Sequence, residues 1–235
     1  MKRMLAGILT AAAVCSLWLA AKTPADLPAE PGSAGSVSLP KIETPPSGSF
    51  EEALFMRRSV RSFAPEPLTA EEIGALLWAA AGETVDGTAG PTRAHPSAGG
   101  LYPVEVFLAV GEAEGIDPGV YRYSWHDHRL INISSGDIRS ELMEASLNQG
   151  SVQQAPVTVI ISVVYSRTMS RYGERGERYV HMDAGAAGQN VQLQAAAAGL
   201  HSVIIGAFED DSVRNLIGGT NAQPLLVIPV GRPRE

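Results

Sequence analysis

Three arginines and a serine stand within five residues at Arg57-Arg58-Ser59-Val60-Arg61, followed by Ser62-Phe63. A guanidinium forks onto phosphate through two hydrogen bonds, and a serine hydroxyl adds a neutral donor. The stretch is therefore built to grip an oxyanion: sulfate, a nucleotide or a carboxylate network on its own evidence. The rest of the chain is acidic. Formal net charge is −7, and residues 1–21 hold Lys2 and Arg3 but no acid, which leaves −9 for the remainder. That balance excludes nucleic acid as a main partner, since phosphate-backbone binding needs a broad basic surface. Further along comes His95-Pro96-Ser97-Ala98-Gly99-Gly100-Leu101-Tyr102-Pro103. Residues this small let a flat ligand lie against main chain. The two stretches together suggest a phosphate grip and a shelf.

Absent residues narrow the chemistry. The one cysteine is Cys15, inside an N-terminal apolar run, so the folded part has no thiol nucleophile, disulfide, cysteine-ligated zinc or iron–sulfur cluster. Lysines occur only at 2, 22 and 41, which removes Schiff-base chemistry from everything that follows. His126 and His128 have metal-ligand spacing but sit in a hairpin turn without supporting ligands, so they read as a solvated turn and no metal is expected. His95 reads as a loop histidine. His181 and Asp183 fall on different helix faces. Ser97 lacks a Gly-x-Ser-x-Gly elbow. Arg171, Arg175 and Arg178 lie among Glu174 and Glu177 and are expected to form a surface ion-pair set.

These residues need elements to position them. Met1-Lys2-Arg3 and the apolar run Leu5–Ala21 have the pattern of a signal peptide or short signal anchor, and 22–48 that of a Pro/Gly/Ser-rich linker. The domain then spans 49–235. The basic N-terminal residues leave that domain outside the cytoplasm, periplasmic or extracellular, with the N-terminus engaging the membrane. Ser49 and Glu52 begin a helix ending near Arg58, and Thr69 and Glu72 cap a second that stops at Gly82. Residues 83–100 read as a long loop. Strands are expected over 105–110, 119–125, 129–133, 157–164, 202–205 and 225–230, with helices over 137–147, 179–198 and 211–217. The fold class is α+β, a mostly antiparallel or mixed sheet flanked by helices. The helix over 179–198 is almost bare, with Ala184, Gly185, Ala186, Ala187 and Gly188 in a row. Glycine inside a helix costs about 1 kcal/mol relative to alanine, so close packing must compensate; a homodimer centre is the favoured setting, a central helix within one protomer the other.

The order of motifs resembles the nitroreductase superfamily of FMN-dependent oxidoreductases, and within it the SagB-type branch that includes azoline dehydrogenases. The motifs are Arg57-Arg58-Ser59-Val60-Arg61-Ser62-Phe63, Pro96-Ser97-Ala98-Gly99-Gly100-Leu101-Tyr102-Pro103, Gly119-Val120-Tyr121-Arg122-Tyr123, the run from Tyr172 to Tyr179, Asp183-Ala184-Gly185-Ala186-Ala187-Gly188-Gln189-Asn190, Ile205-Gly206-Ala207-Phe208 and Gly231-Arg232-Pro233. The resemblance implies a homodimer with FMN at its interface. It assigns Arg57, Ser59 and Arg61, with neighbouring Arg58, to the phosphate, ribityl chain and pyrimidine edge, and Pro96, Ser97, Ala98 and Gly99 to the isoalloxazine ring. Gly206 and Ala207 would offer N–H groups, Arg232 would return to the phosphate, and Gln149 is a further contact to the pyrimidine ring.

What the resemblance implies about activity is ping-pong hydride transfer from a reductant such as NAD(P)H to an electron-poor acceptor. A SagB-like dehydrogenase acting on a heterocyclic or peptide substrate is one alternative, and a flavin-binding scaffold of the cell envelope another. Azoline dehydrogenases of this branch use a Lys-Tyr pair. The local match is Arg171-Tyr172, the catalytic candidates, and an arginine cannot exchange a proton near neutral pH.

Overall fold

The computed structural model describes residues 45–87 and 90–234. The expected targeting segment 1–21 and all but the last residues of the linker lie outside the described residues, and among the described residues no helix is long and apolar enough to cross a membrane.

The frame is a six-stranded sheet of order β5-β4-β3-β6-β8-β7, antiparallel throughout. Its strands are β3 (Val104–Val110), β4 (Gly119–Ser124), β5 (Arg129–Ser135), β6 (Val157–Val163), β7 (His201–Ser202) and β8 (Gln223–Gly231). The expected α+β class and antiparallel sheet are both present. β6 is an unbroken apolar and β-branched run because both its faces are covered. Val157, Val159, Ile161 and Val163 join the core under α2 (Ala70–Ala81) and α6 (Arg175–Ala197), while Ile160 joins a second core under α3 (Arg139–Ala145), α4 (Gly150–Gln154) and α7 (Asp210–Leu216).

The expected strand over 202–205 is regular only at His201–Ser202. Opposite Val203 stands Pro229, which has no N–H to give, and pairing resumes at Ile205 through Val227. The chain then leaves the sheet at Gly206. A second difference lies in 83–100. Instead of a long loop, β1 (Glu83–Gly87) and β2 (Gly90–Arg93) form a hairpin with a bulge, and Thr84 and Thr92 share a hydroxyl contact of 2.8 Å across it. The glycines and threonines hid a strand pattern with little apolar alternation. α4 and α5 (Tyr165–Tyr172) were also not legible, being short and polar.

Both helix starts behave as their capping residues dictate. In α2 the Thr69 hydroxyl accepts from Glu72 N at 3.2 Å and Glu72 accepts from Thr69 N at 2.9 Å. In α1 (Phe50–Met56) the Ser49 hydroxyl accepts from Glu52 N at 3.0 Å, but the Glu52 carboxylate turns to Gly48 N instead. α1 ends at Met56, so Arg57 is its C-cap.

The bareness of α6 has a local explanation on one side. A Cβ on Gly188 would sit 2.6 Å from Leu226 Cδ1, so only glycine lets the helix approach the sheet this closely. Gly176 does the same towards the Met169 main chain of α5, at 2.9 Å. The opposite side is open: Met182 is 64 % exposed, and nothing lies within 4 Å of a Cβ placed on Gly185.

Candidate functional site

The arginine stretch leaves α1 and runs along the sheet edge. Val60 N donates to Ser202 O at 3.0 Å and Ala64 N to Arg232 O at 3.1 Å. Ser59 thereby lies beside Ser202, and Phe63 beside Pro233. Arg57, half-buried, and Arg58, exposed, line a cavity of about 340 Å³ between α1, the end of α6 and β7, with Gln192, His201 and Ser202 on its far wall. Among the described residues the side chains of Arg57, Arg58 and Arg61 have no hydrogen bond or ion pair. In an acidic chain, that is a standing surplus of positive charge at one place. Arg232 is different. Its guanidinium is taken by Glu72 at 3.1 Å and Glu66 at 3.4 Å, which ties the end of β8 to the start of α2.

Gly206 and Ala207 lie next to Gln149. Gln149 Nε2 donates to Ala207 O at 3.0 Å. Both small residues are exposed, their N–H groups donate to no main-chain carbonyl among the described residues, and the space over Gly206 is open. The side-chain amide thus fixes the carbonyl and leaves the N–H groups free.

The shelf is held far more tightly. Ser97 Oγ donates to Asp183 Oδ2 at 2.5 Å and accepts from Tyr102 N at 2.9 Å, while the Ala98 N–H also bonds the Asp183 carboxylate. Burial raises the Asp183 carboxyl above the usual range, and those two hydrogen bonds pull it back. Ser97 therefore spends its hydroxyl proton on Asp183. Asn190 Nδ2 donates to Ala79 O at 3.0 Å and Ala94 O at 3.2 Å. Arg167 of α5 donates to Tyr102 O at 3.1 Å and pairs with Glu105.

His95 is a loop histidine, but a buried one. It is fully buried, its Nδ1–H donates to Ala80 O at 2.9 Å, and Tyr102 stands edge-on to it at 5.6 Å. Desolvation pushes its pKa down to about 4, with nearby Arg93 adding to the fall against the Ala80 hydrogen bond. Arg93 itself lies 4.1 Å from the Trp125 ring centre and 5.0 Å from that of Tyr102, and burial brings its pKa down to about 10. Pro96 follows this anchored histidine and is exposed.

Arg171 and Tyr172 meet the shelf at Gly99. That glycine has φ +64°, and a Cβ on it would fall 2.6 Å from Tyr172 Oη and 3.1 Å from Arg171 Nη1. The ion-pair set expected among Arg171, Arg175, Arg178, Glu174 and Glu177 does not form among the described residues, and the break at Gly173 (φ +58°) puts Arg171 on α5, apart from the other four. His126 pairs with Glu83 at 3.4 Å, and His128 with Tyr123 Oη at 2.8 Å.

The comparisons with known proteins agree with this architecture. The family model described as "Nitroreductase family" matches residues 54–232. The chain belongs to the nitroreductase family. The chain is 39 % identical over 204 residues to "Putative nitroreductase MJ1384" of Methanocaldococcus jannaschii, covering 87 % of this chain and all of that protein. It is 27 % identical over 128 residues to the "Microcin B17-processing protein McbC" of Escherichia coli, covering 52 % of this chain and 46 % of that one, so SagB-like processing proteins are among its relatives. A solved nitroreductase-family structure from Ralstonia eutropha JMP134 superposes with a TM-score of 0.69 at 28 % identity, over 84 % of this chain and 89 % of that chain. Sequence reasoning assigned no role to Asp183, Asn190 or Arg167. Asp183 and Asn190 are seven apart, hence on one face of α6, and two polar residues on the inward face of a bare helix were the available signal.

Proposed function

We propose that this nitroreductase-family chain is an FMN-dependent oxidoreductase that transfers hydride from a reductant, NADH or NADPH, to an electron-poor acceptor such as a nitroarene or quinone. One observation carries the reading: among the described residues three guanidiniums have no hydrogen-bond or ion-pair partner, and the exposed Gly206 and Ala207 N–H groups have no acceptor. Those are the groups an FMN needs, so the residues present fit it. Arg57, Arg58 and Ser59 would hold the phosphate end. Arg61, Gln149, Gly206 and Ala207 would meet the polar edge of the ring, and Pro96, Ala98 and Gly99 would cover its face. Arg232 acts through Glu72, stiffening the segment that carries Arg57–Arg61. When bound, FMN supplies the two-electron chemistry. Arg61 would favour negative charge at the ring edge, as a cation held beside it does.

A homodimer belongs to the same proposal. α1 presents Phe50, Leu54, Phe55 and Met56, 63 to 47 % exposed, and α2 and α6 add Trp78 and Met182. Apolar side chains at that density favour burial against a second copy. Export by the N-terminal segment is proposed from the basic–apolar pattern of residues 1–21 alone. A second reading, dehydrogenation of a heterocyclic or peptide substrate, is favoured by the Tyr172 hydroxyl at Gly99 and by the likeness to McbC. Arg171 cannot supply the base that such a reaction needs.

The test is an absorption spectrum of the purified protein. Bound flavin bleached by NADH or NADPH and restored by a nitroarene is the expected result. A colourless protein that takes up no added FMN would overturn both enzyme readings.

A further inference from the structure

Arg171 is exposed, and among the described residues its guanidinium has no carboxylate or other hydrogen-bond partner. Its neighbour one turn earlier, Arg167, is neutralised by Glu105. Arg171 is instead set against the shelf, with Nη1 3.1 Å from the Cβ position of Gly99. The Tyr172 hydroxyl lies 2.6 Å from the same point and is likewise without a partner, and Tyr179 stands edge-on to the Tyr172 ring at 5.1 Å. A fork of five donors and a phenol hydroxyl thus meet at Gly99, with the Tyr172–Tyr179 ring pair behind the hydroxyl. A carboxylate is planar, accepts from a guanidinium through two parallel hydrogen bonds and leaves a lone pair for a phenol. An aromatic body attached to it packs on the tyrosine edges.

We propose that Arg171 and Tyr172 form a recognition site for the carboxylate of an aromatic acceptor, so that the protein selects anionic over neutral electron-poor substrates. The inference rests on the oxidoreductase reading for what happens next to the shelf, but binding alone tests it. It assigns Arg171 a specificity role that needs no proton exchange, consistent with a group that is always charged.

The experiment is calorimetric titration of the full-length protein with 4-nitrobenzoate and with its neutral counterpart 4-nitrobenzyl alcohol. Wild type should bind the carboxylate about tenfold more tightly, the size expected of one charge-assisted pair that is open to water. Arg171→Gln should erase that ratio, and Arg171→Lys should restore part of it, since an ammonium keeps the charge and loses the fork. Circular dichroism checks that the exposed substitution leaves the fold intact. Equal affinity for the two ligands in wild type, or an undiminished ratio in Arg171→Gln, overturns the inference. The two readings separate cleanly. Protein that holds FMN but shows no preference sinks this one and leaves the oxidoreductase standing. Protein that holds no FMN yet keeps an Arg171-dependent preference does the reverse.

Discussion

The grip and the shelf solve opposite problems. At Arg57–Arg61 the main chain is held in place through Ser202 and Arg232, and among the described residues three guanidiniums are left without a partner. At Ser97–Tyr102 the polar groups are satisfied internally, by Asp183, Arg167 and one another. One region is a charge waiting for a ligand; the other is a surface whose shape is settled before any ligand arrives. The contrast follows from energetics. An unpaired cation at an exposed site stays hydrated and costs little, whereas an unmet polar group packed against the buried Asp183 costs roughly 1–3 kcal/mol.

The contrast can be broken most severely at the grip. Arg57→Glu replaces a donor fork with a like charge beside the proposed phosphate, and FMN retention should fall by at least about two orders of magnitude. Flavin absorbance after gel filtration measures it, with circular dichroism showing an intact fold. Stoichiometric flavin in this variant would place the phosphate elsewhere.

At the shelf the effects should appear in stability. His95 is neutral in the fold because burial holds it at about 4, below its ordinary 6.5. Between those values the unfolded chain takes up a proton that the folded chain refuses. Stability is therefore complete above about pH 6.5 and declines as pH falls towards 4, by about 3 kcal/mol at most. Urea midpoints from pH 7 to pH 4 should show the loss, and His95→Gln should flatten the slope relative to wild type.

Gly99→Ala is smaller and more local. It puts a side chain at φ +64° and against Tyr172 and Arg171, so a loss of about 1–2 kcal/mol is expected. The thermal midpoint reports it, and a gain in stability would mean that α5 yields freely. Smallest is Arg232→Ala. Its partners are Glu72 and Glu66, and it is about one-third exposed, so unfolding in urea should shift by no more than about 1 kcal/mol. If FMN affinity falls as far as in Arg57→Glu, Arg232 belongs to the grip after all.

Much of this was legible beforehand because the relevant signals are local. Thr69 and Glu72 specify a helix start whatever surrounds them, and β6 reads as a central strand because seven residues in succession tolerate burial on both sides. The hairpin over 83–93 was not legible, since its strands are polar and owe their pairing to each other. Nor was the state of His95, which depends on what lies above a loop rather than on the loop. Arg232 looks in sequence like any other arginine beside a glycine and a proline. Two carboxylates from elsewhere determine what it does.

The sequence by itself determined the family, the order of the six sheet strands and the principal helices, and the residue types at the grip and shelf, because those reside in motifs and short-range periodicity. Only the tertiary structure decided which charges stay free. Among the described residues Arg57, Arg58 and Arg61 meet no acid, Arg232 meets two, and Asp183 is spent on Ser97 and Ala98. Pairing across a hundred residues depends on how helices pack on a sheet, and no local pattern records it.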